Sequence, residues 1–334
     1  SLDDTKVFQR TLAALPELSS MPWPMAEAIA REGRAADFQV LHLTGGEPMM
    51  WPHFFEYLEL GQELGYEHIY FNTNASLLNK ARTERLAALH RESGQRLRLT
   101  ISVNGSRENH EATRGRGTYA PTRRGLERAL AAGLPVEVFT TVERRLLPEL
   151  AAFTRELFAE LPQIERCYWI QNHRVTDDAY PEVMAELLAP DEFLEMVRLA
   201  GWLQQAGYPI YFLDHSLVNP AARRLGGPAL LIPASPSARR ASHLCILRDG
   251  RITHVHSDRE ALARFVPETG VLQSLLAPDH LPARLAQPDP QCGPCHHRTL
   301  CAESEHYRAT PGAYFDASES PEPYCRRALD LAAG

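Results

Sequence analysis

No apolar run in this sequence approaches the roughly 20 residues that cross a bilayer, so no membrane partner is expected. No secretory signal is visible either, which makes a cytoplasmic, reducing location the expectation. Positive charge is not in excess: 35 Lys and Arg stand against 42 Asp and Glu. The resulting net charge of −7 gives no general attraction to nucleic acid or anionic lipid. There is no internal repeat. No cysteine precedes Cys167, so the first half of the chain has no thiolate to offer a metal. The chain also lacks an initiator Met, and a processed, truncated or unobserved segment ahead of Ser1 is expected.

What is present describes a globular chain. The 334 residues correspond to about two domains. A 44% hydrophobic and 23% charged composition supports a sizeable core. From residue 38 strand and helix patterns alternate. Strands are expected at 38–43, 68–72, 97–103, 136–142, 166–171 and 210–213, and helices at 52–64, 79–91, 120–132, 147–161 and 190–205. Such βα repetition implies a parallel sheet, open or curled into a barrel. Residues 1–37 fall outside this rhythm, with helical stretches at 6–15 and 25–34 around the Pro22–Trp23–Pro24 break. Near residue 214 the pattern ends in a Pro- and Gly-rich linker. An Asp249–Gly250 hairpin follows. The expected division is therefore 1–37, 38–215 and 216–334.

The tail is poor in large aliphatics and rich in Pro, Cys, His and Arg, so it needs a staple other than a core. Cys292, Cys295, Cys301 and Cys325 stand there. A Cys-x2-Cys pair puts two thiolates within reach of one centre, and two further cysteines complete a set of four. In a reducing compartment this favours a metal over disulfides, with iron–sulfur and zinc both open. Cys167 and Cys245 read as buried thiols. His254 and His256 would share one side of a strand, and His296 and His297 would support cluster ligands from behind. Trp23, Trp51 and Trp169 are core aromatics by default, with a place along a substrate cleft as the alternative.

The sharpest feature of the first half is Thr44–Gly45–Gly46–Glu47–Pro48, directly after a strand. Ligands of parallel sheets bind at the carboxyl ends of strands. Two glycines let backbone approach a ligand closely, and a carboxylate there suits an ammonium group. An ordinary βα turn would use the same dipeptides. Three further landmarks follow in order: Asn72–Thr73–Asn74, Ser102–Val103–Asn104–Gly105, and His110 with Arg114–Gly115–Arg116–Gly117.

Over residues 38–215 this series resembles the radical S-adenosylmethionine (SAM) superfamily. The resemblance implies a partial (β/α)6-type barrel with a small cysteine-rich C-terminal domain, α/β in class. It implies SAM held by Gly45, Gly46, Glu47, Pro48, Asn72, Asn74, Ser102, Asn104 and Arg114, with Ser102 at the ribose and Arg114 near the carboxylate. The tail resembles the SPASM extension, in which Cys292, Cys295, Cys301 and Cys325 would hold an auxiliary [4Fe–4S] cluster. A second auxiliary cluster is not expected, because Glu305, Val255 and His256 occupy the places where that family carries further cysteines.

The family's Cys-x3-Cys-x2-Cys loop is absent from these residues, and no strand precedes residue 38. Two readings remain. In one, a segment carrying that loop and a SAM-binding [4Fe–4S] cluster belongs to the native protein. It then cleaves SAM to a 5′-deoxyadenosyl radical and oxidises, cross-links or epimerises a peptide or protein, drawing electrons from a flavodoxin- or ferredoxin-type reductant. In the other, the chain is a catalytically silent scaffold or partner with a structural four-cysteine site. The intact strand-tip motifs favour the enzyme.

Overall fold

The computed structural model describes residues 20–94, 96–171, 185–212, 217–230, 244–253, 261–275, 294–303 and 324–333. Six parallel strands form one sheet in chain order: β1 (Val40–Leu43), β2 (His68–Thr73), β3 (Leu97–Ser102), β4 (Val136–Val142), β5 (Arg166–Gln171) and β6 (Ile210–Phe212). Every crossover adds its strand on the same side. That order is the winding of a barrel and not of a doubly wound sheet, whose strand order reverses part-way. Helices α1 (Trp23–Ala35), α2 (Phe54–Glu63), α3 (Lys80–Glu92), α4 (Arg107–Arg114), α5 (Tyr119–Ala131), α6 (Leu150–Glu160) and α7 (Pro190–Gln205) accompany it. The partial α/β barrel expected from the sequence is the observed fold. No helix among the described residues is long and apolar enough to cross a membrane.

Strand pleating sends alternate residues to opposite faces, and the register shows two different surfaces. Leu41, Ile69, Leu97, Val136, Cys167 and Ile210 lie on one face with Leu43, Phe71, Leu99, Val138, Trp169 and Phe212, all buried. This is the helix-covered core. The other face carries His42, Tyr70, Asn72, Arg98, Thr100, Ser102, Glu137, Phe139, Thr141, Arg166, Tyr168, Ile170 and Tyr211, most of them half-exposed. One sheet thus has an apolar side for helices and a more polar open side. Low on that side Arg166 pairs with Glu137 at 3.2 Å and Arg98 pairs with Glu165. Burial of Glu137 pushes its carboxyl above the usual range, against the pull of Arg166 and Arg98.

Two glycines set how closely elements approach. In α5 a Cβ on Gly125 would come within 2.1 Å of the Ala75 carbonyl oxygen, so this helix rests directly on the turn after β2. Gly105, at φ +78°, turns the chain after β3 beneath Leu146 and Glu149.

The stretch after 214 departs from expectation. Residues Val218–Arg224 form a helix, α8, where composition suggests a linker. Pro220 falls in its first turn, where no intrahelical N–H is lost. Val218, Ala221 and Ala222 are buried, and Gly226 in the left-handed region closes the helix end. Asn219 Oδ1 then accepts the Leu230 N–H at 3.1 Å.

Beyond it, β7 (Cys245–Ile246), β8 (Arg251–Thr253) and β9 (Ala263–Arg264) form a small antiparallel sheet. The first two are the Asp249–Gly250 hairpin, and the third has no clear signature in sequence. Ile252, Phe265, Leu272 and Leu275, the last two on α9 (Val271–Leu275), pack with Ile29 and Ala36 of the N-terminal part into a second core. The sequence-expected helix at 25–34 is thus α1, and the one at 6–15 lies outside the described residues.

Candidate cofactor-binding site

The loop after β1 is held from within by Glu47. Its Oε1 accepts the Met49 N–H at 3.3 Å and the Thr73 hydroxyl at 2.9 Å, and its Oε2 accepts the Asn74 N–H at 2.9 Å. The first bond caps the 3₁₀ turn Pro48–Met50. The other two lock the loop to the tip of β2. Three donors leave a carboxylate one further lone-pair direction, and a cation would use it well. Burial raises the Glu47 pKa, opposed by these bonds and weakly by Arg82. Thr44, Gly45 and Gly46 are exposed, and Gly45 adopts φ +123° with open space around its missing Cβ. The carboxylate therefore shapes the loop, and the glycine backbone is the part turned outward.

Asn72 Oδ1 meets His42 Nε2 at 3.0 Å, and Asn72 Nδ2 donates to Thr44 Oγ1 at 3.3 Å. Asn74 holds Ser76 by its side chain, and its carbonyl accepts the Thr122 hydroxyl of α5 at 2.8 Å. Ser102 ends β3 on the open side, half-buried. Asn104 is 1% exposed: its Oδ1 accepts the Thr141 N–H from β4, and its N–H donates to His110 Nδ1 at 3.3 Å. That bond fixes His110 as the tautomer protonated at Nε2. Burial and the nearby Arg114 guanidinium lower its pKa to about 4, so the ring is neutral. Glu149 anchors the same loop, accepting the Ser106 N–H at 3.0 Å and the Asn109 amide at 2.5 Å.

Thus Glu47 bonds Asn74 directly and Asn72 bonds Thr44, which holds the loop carrying Gly45 and Gly46 against the tip of β2. Ser102 and Asn104 stand at the next strand tip, and Arg114 ends α4 beside His110. Thr122, Thr141 and Glu149 were not singled out from sequence. The Thr122 hydroxyl and the Glu149 carboxylate hold backbone of a distant segment, and the Thr141 N–H is held by the Asn104 side chain, none of which a linear motif displays.

SAM fits this surface on three counts. Gly45 leaves room for close approach. A partly buried carboxylate has spare acceptor capacity for an ammonium group. The buried Asn104 Nδ2 and His110 Nε2 have no hydrogen-bond partner, so donors remain for ligand acceptors or water. The SAM-bound iron–sulfur cluster does not fit these residues. The first cysteine, Cys167, lies on the helix-covered face, fully buried, with its thiol pushed up to about 12.

In the tail, Cys301 sits on α10 (Arg298–Glu303) and Cys325 on α11 (Tyr324–Leu331). Cys295, Cys301 and Cys325 are half-buried, and no disulfide joins the described cysteines. Cys292, Glu305, His254, Val255 and His256 lie outside the described residues. Cys245 is half-buried on β7, less enclosed than expected. Helix α11 is fastened to the barrel by Tyr324, whose hydroxyl donates to the Leu188 carbonyl at 2.9 Å and accepts from Gln171 Nε2 at 3.1 Å. Trp23 and Trp51 form a half-buried aromatic group with His53 and Tyr57, while Trp169 packs edge-on against Phe212 in the core.

Residues 10–149 match the family model of the Radical SAM superfamily. This segment belongs to the radical SAM superfamily. Two curated relatives are AdoMet-dependent heme synthases. That of Methanosarcina barkeri is 36% identical over 124 residues, 36% of this chain and 34% of the relative. That of Oleidesulfovibrio alaskensis is 27% identical over 161 residues, 48% and 39% of the two chains. The matched segments therefore span little more than a third of these relatives. Among solved structures, anSMEcpe with bound AdoMet and a Kp18Cys peptide superposes with a TM-score of 0.63 at 14% identity, covering 93% of this chain and 87% of that one. SuiB of Streptococcus suis with its precursor peptide SuiA gives 0.59 at 17% identity, covering 82% and 62%. At these identities the likeness is one of fold, and it extends over most of this chain.

Proposed function

We propose that this chain is the SAM-holding and auxiliary-centre portion of a radical SAM enzyme acting on a peptide or protein. The observation that carries the reading is the row of strand tips at one end of an open polar sheet, with Glu47 bonded to Asn74 across β1 and β2 and Asn104 bonded to Thr141 across β3 and β4. A [4Fe–4S] cluster held by a further segment would, with SAM, supply the radical chemistry of such an enzyme. The thiolates for that cluster are not among these 334 residues. The residues present do other work. Glu47 fixes the glycine loop and receives the ammonium group, Ser102 and Asn104 orient the ribose, and Arg114 faces the carboxylate. The half-exposed Tyr70, Asn72, Phe139, Ile170 and Tyr211 of the open face suit the mixed polarity of a peptide. In the tail, Cys292, Cys295, Cys301 and Cys325 hold one auxiliary cluster, placed by the Tyr324 anchor.

A tetrapyrrole substrate is the second reading, favoured by the two heme synthases among the sequence relatives. Anaerobic reduction of the protein from its complete reading frame, reconstituted with iron and sulfide, tests both. Formation of 5′-deoxyadenosine supports the enzyme, and its stimulation by peptide or by porphyrin carboxylate separates the substrates. No 5′-deoxyadenosine, with zinc and not iron in the tail, points to the scaffold.

A further inference from the structure

One group of ligating side chains has no part in the reading above. His296 and His297 directly follow Cys295, and Asp330 lies near the end of α11. The Nε2 atoms of the two rings lie 2.7 and 2.8 Å from the same Oδ1 of Asp330, and the ring centroids are 4.0 Å apart. One ligand atom from each residue falls within 4.8 Å of the others. His297 is 3% exposed, while His296 and Asp330 reach solvent.

We propose that His296, His297 and Asp330 form a site for one divalent transition-metal ion, separate from the four cysteines. Two imidazoles and a carboxylate are the donor set of zinc and of open ferrous centres, and nitrogen donors disfavour calcium or magnesium. The three atoms converge from two segments that are 33 residues apart. The buried His297 supplies a fixed ligand, and the exposed side leaves positions for water. A proton on each Nε2 explains the same distances but crowds two donors onto one oxygen and leaves the other carboxylate oxygen unused by either ring. One neighbour opposes the ion: Arg326 Nη2 lies 3.4 Å from His296 Nδ1. A metal-bound imidazole carries its proton at Nδ1 and donates it outward, so this guanidinium must swing away on loading.

The test uses the full chain, with and without prior reconstitution by iron and sulfide. Zn²⁺ is titrated and counted after desalting, and Co²⁺ spectra report sulfur ligation through intense near-ultraviolet charge transfer. The expected result is one ion beyond the metal held by the thiolates, bound without a sulfur signature. His296→Ala and Asp330→Ala each weaken it by at least about tenfold, with iron content unchanged, and Arg326→Ala tightens it. His296 is exposed, so its loss does not act through packing. Absence of the extra ion, undiminished affinity in either variant, or loss of the extra ion only together with iron overturns the site. SAM binding is unaffected in every case, so failure here leaves the proposed function untouched.

Discussion

Replacing Gly125 by Ala tests how the proposed SAM site is built. Gly to Ala inside a helix ordinarily stabilises by up to about 1 kcal/mol, because Ala is the better helix former. Here the new methyl carbon would lie 2.1 Å from the Ala75 carbonyl oxygen and 2.9 Å from its carbon. Approach closer than 3.0 Å is essentially never seen, so α5 and the turn after β2 must separate by close to 1 Å. Such overpacking costs about 1–3 kcal/mol, which outweighs the propensity gain. A net loss of about 1 kcal/mol lowers Tm by roughly 2–4 °C. The displaced turn carries Asn74, whose N–H holds Glu47 and whose carbonyl holds Thr122, so SAM affinity falls as well. Gly201→Ala in α7 is the internal control. Its methyl would meet only Pro228, at 3.4 Å, and stabilisation of about 0.5–1 kcal/mol is expected. Calorimetric melting and SAM titration of the two variants decide. A Gly125→Ala protein that melts higher and binds SAM as before would refute the reasoning.

Three other outcomes follow from single contacts. The His110 pKa is depressed to about 4 in the folded protein, so its contribution to stability is complete above about 6.5 and is lost as pH falls towards 4. The loss is on the order of 3 kcal/mol, and His110→Leu should flatten that part of the stability–pH curve; an unchanged slope rejects it. Tyr324→Phe removes a buried hydroxyl bridging Gln171 and Leu188, at a cost of about 1–3 kcal/mol in denaturant unfolding. Cys301→Ser and Cys325→Ser should abolish iron uptake and visible absorbance in the tail, and retention of both in either variant removes the four-thiolate site.

The barrel was readable because its two signals are physical and local. Aliphatic strands such as 97–103 alternate with amphipathic helices, and every crossover then has the same hand. The linker assignment failed at α8 because Pro220 and the glycines at 226 and 227 were weighed by composition. The decisive facts there are tertiary: buried Val218 and Ala221, and the bond from Leu230 to Asn219. The candidate site was legible only as a row of motifs at successive strand tips, and the structure places Gly45–Pro48, Asn72–Asn74 and Ser102–Asn104 at the ends of β1, β2 and β3. The role of Glu47 was only half legible. Sequence suggested a carboxylate turned towards a ligand, whereas its oxygens chiefly bind Met49, Thr73 and Asn74, and such partners become visible only once β1 and β2 lie side by side. β9 was missed because two residues carry no period.

Hydrogen exchange with and without SAM, resolved to single loops, tests the shared site most directly. If the strand tips grip the ligand together, amides at 44–48, 72–76 and 102–106 slow in concert, while those of the small sheet at 245–253 do not change. Protection confined to one of these loops, or none at a SAM concentration that saturates a family enzyme, would contradict a common site at the strand tips.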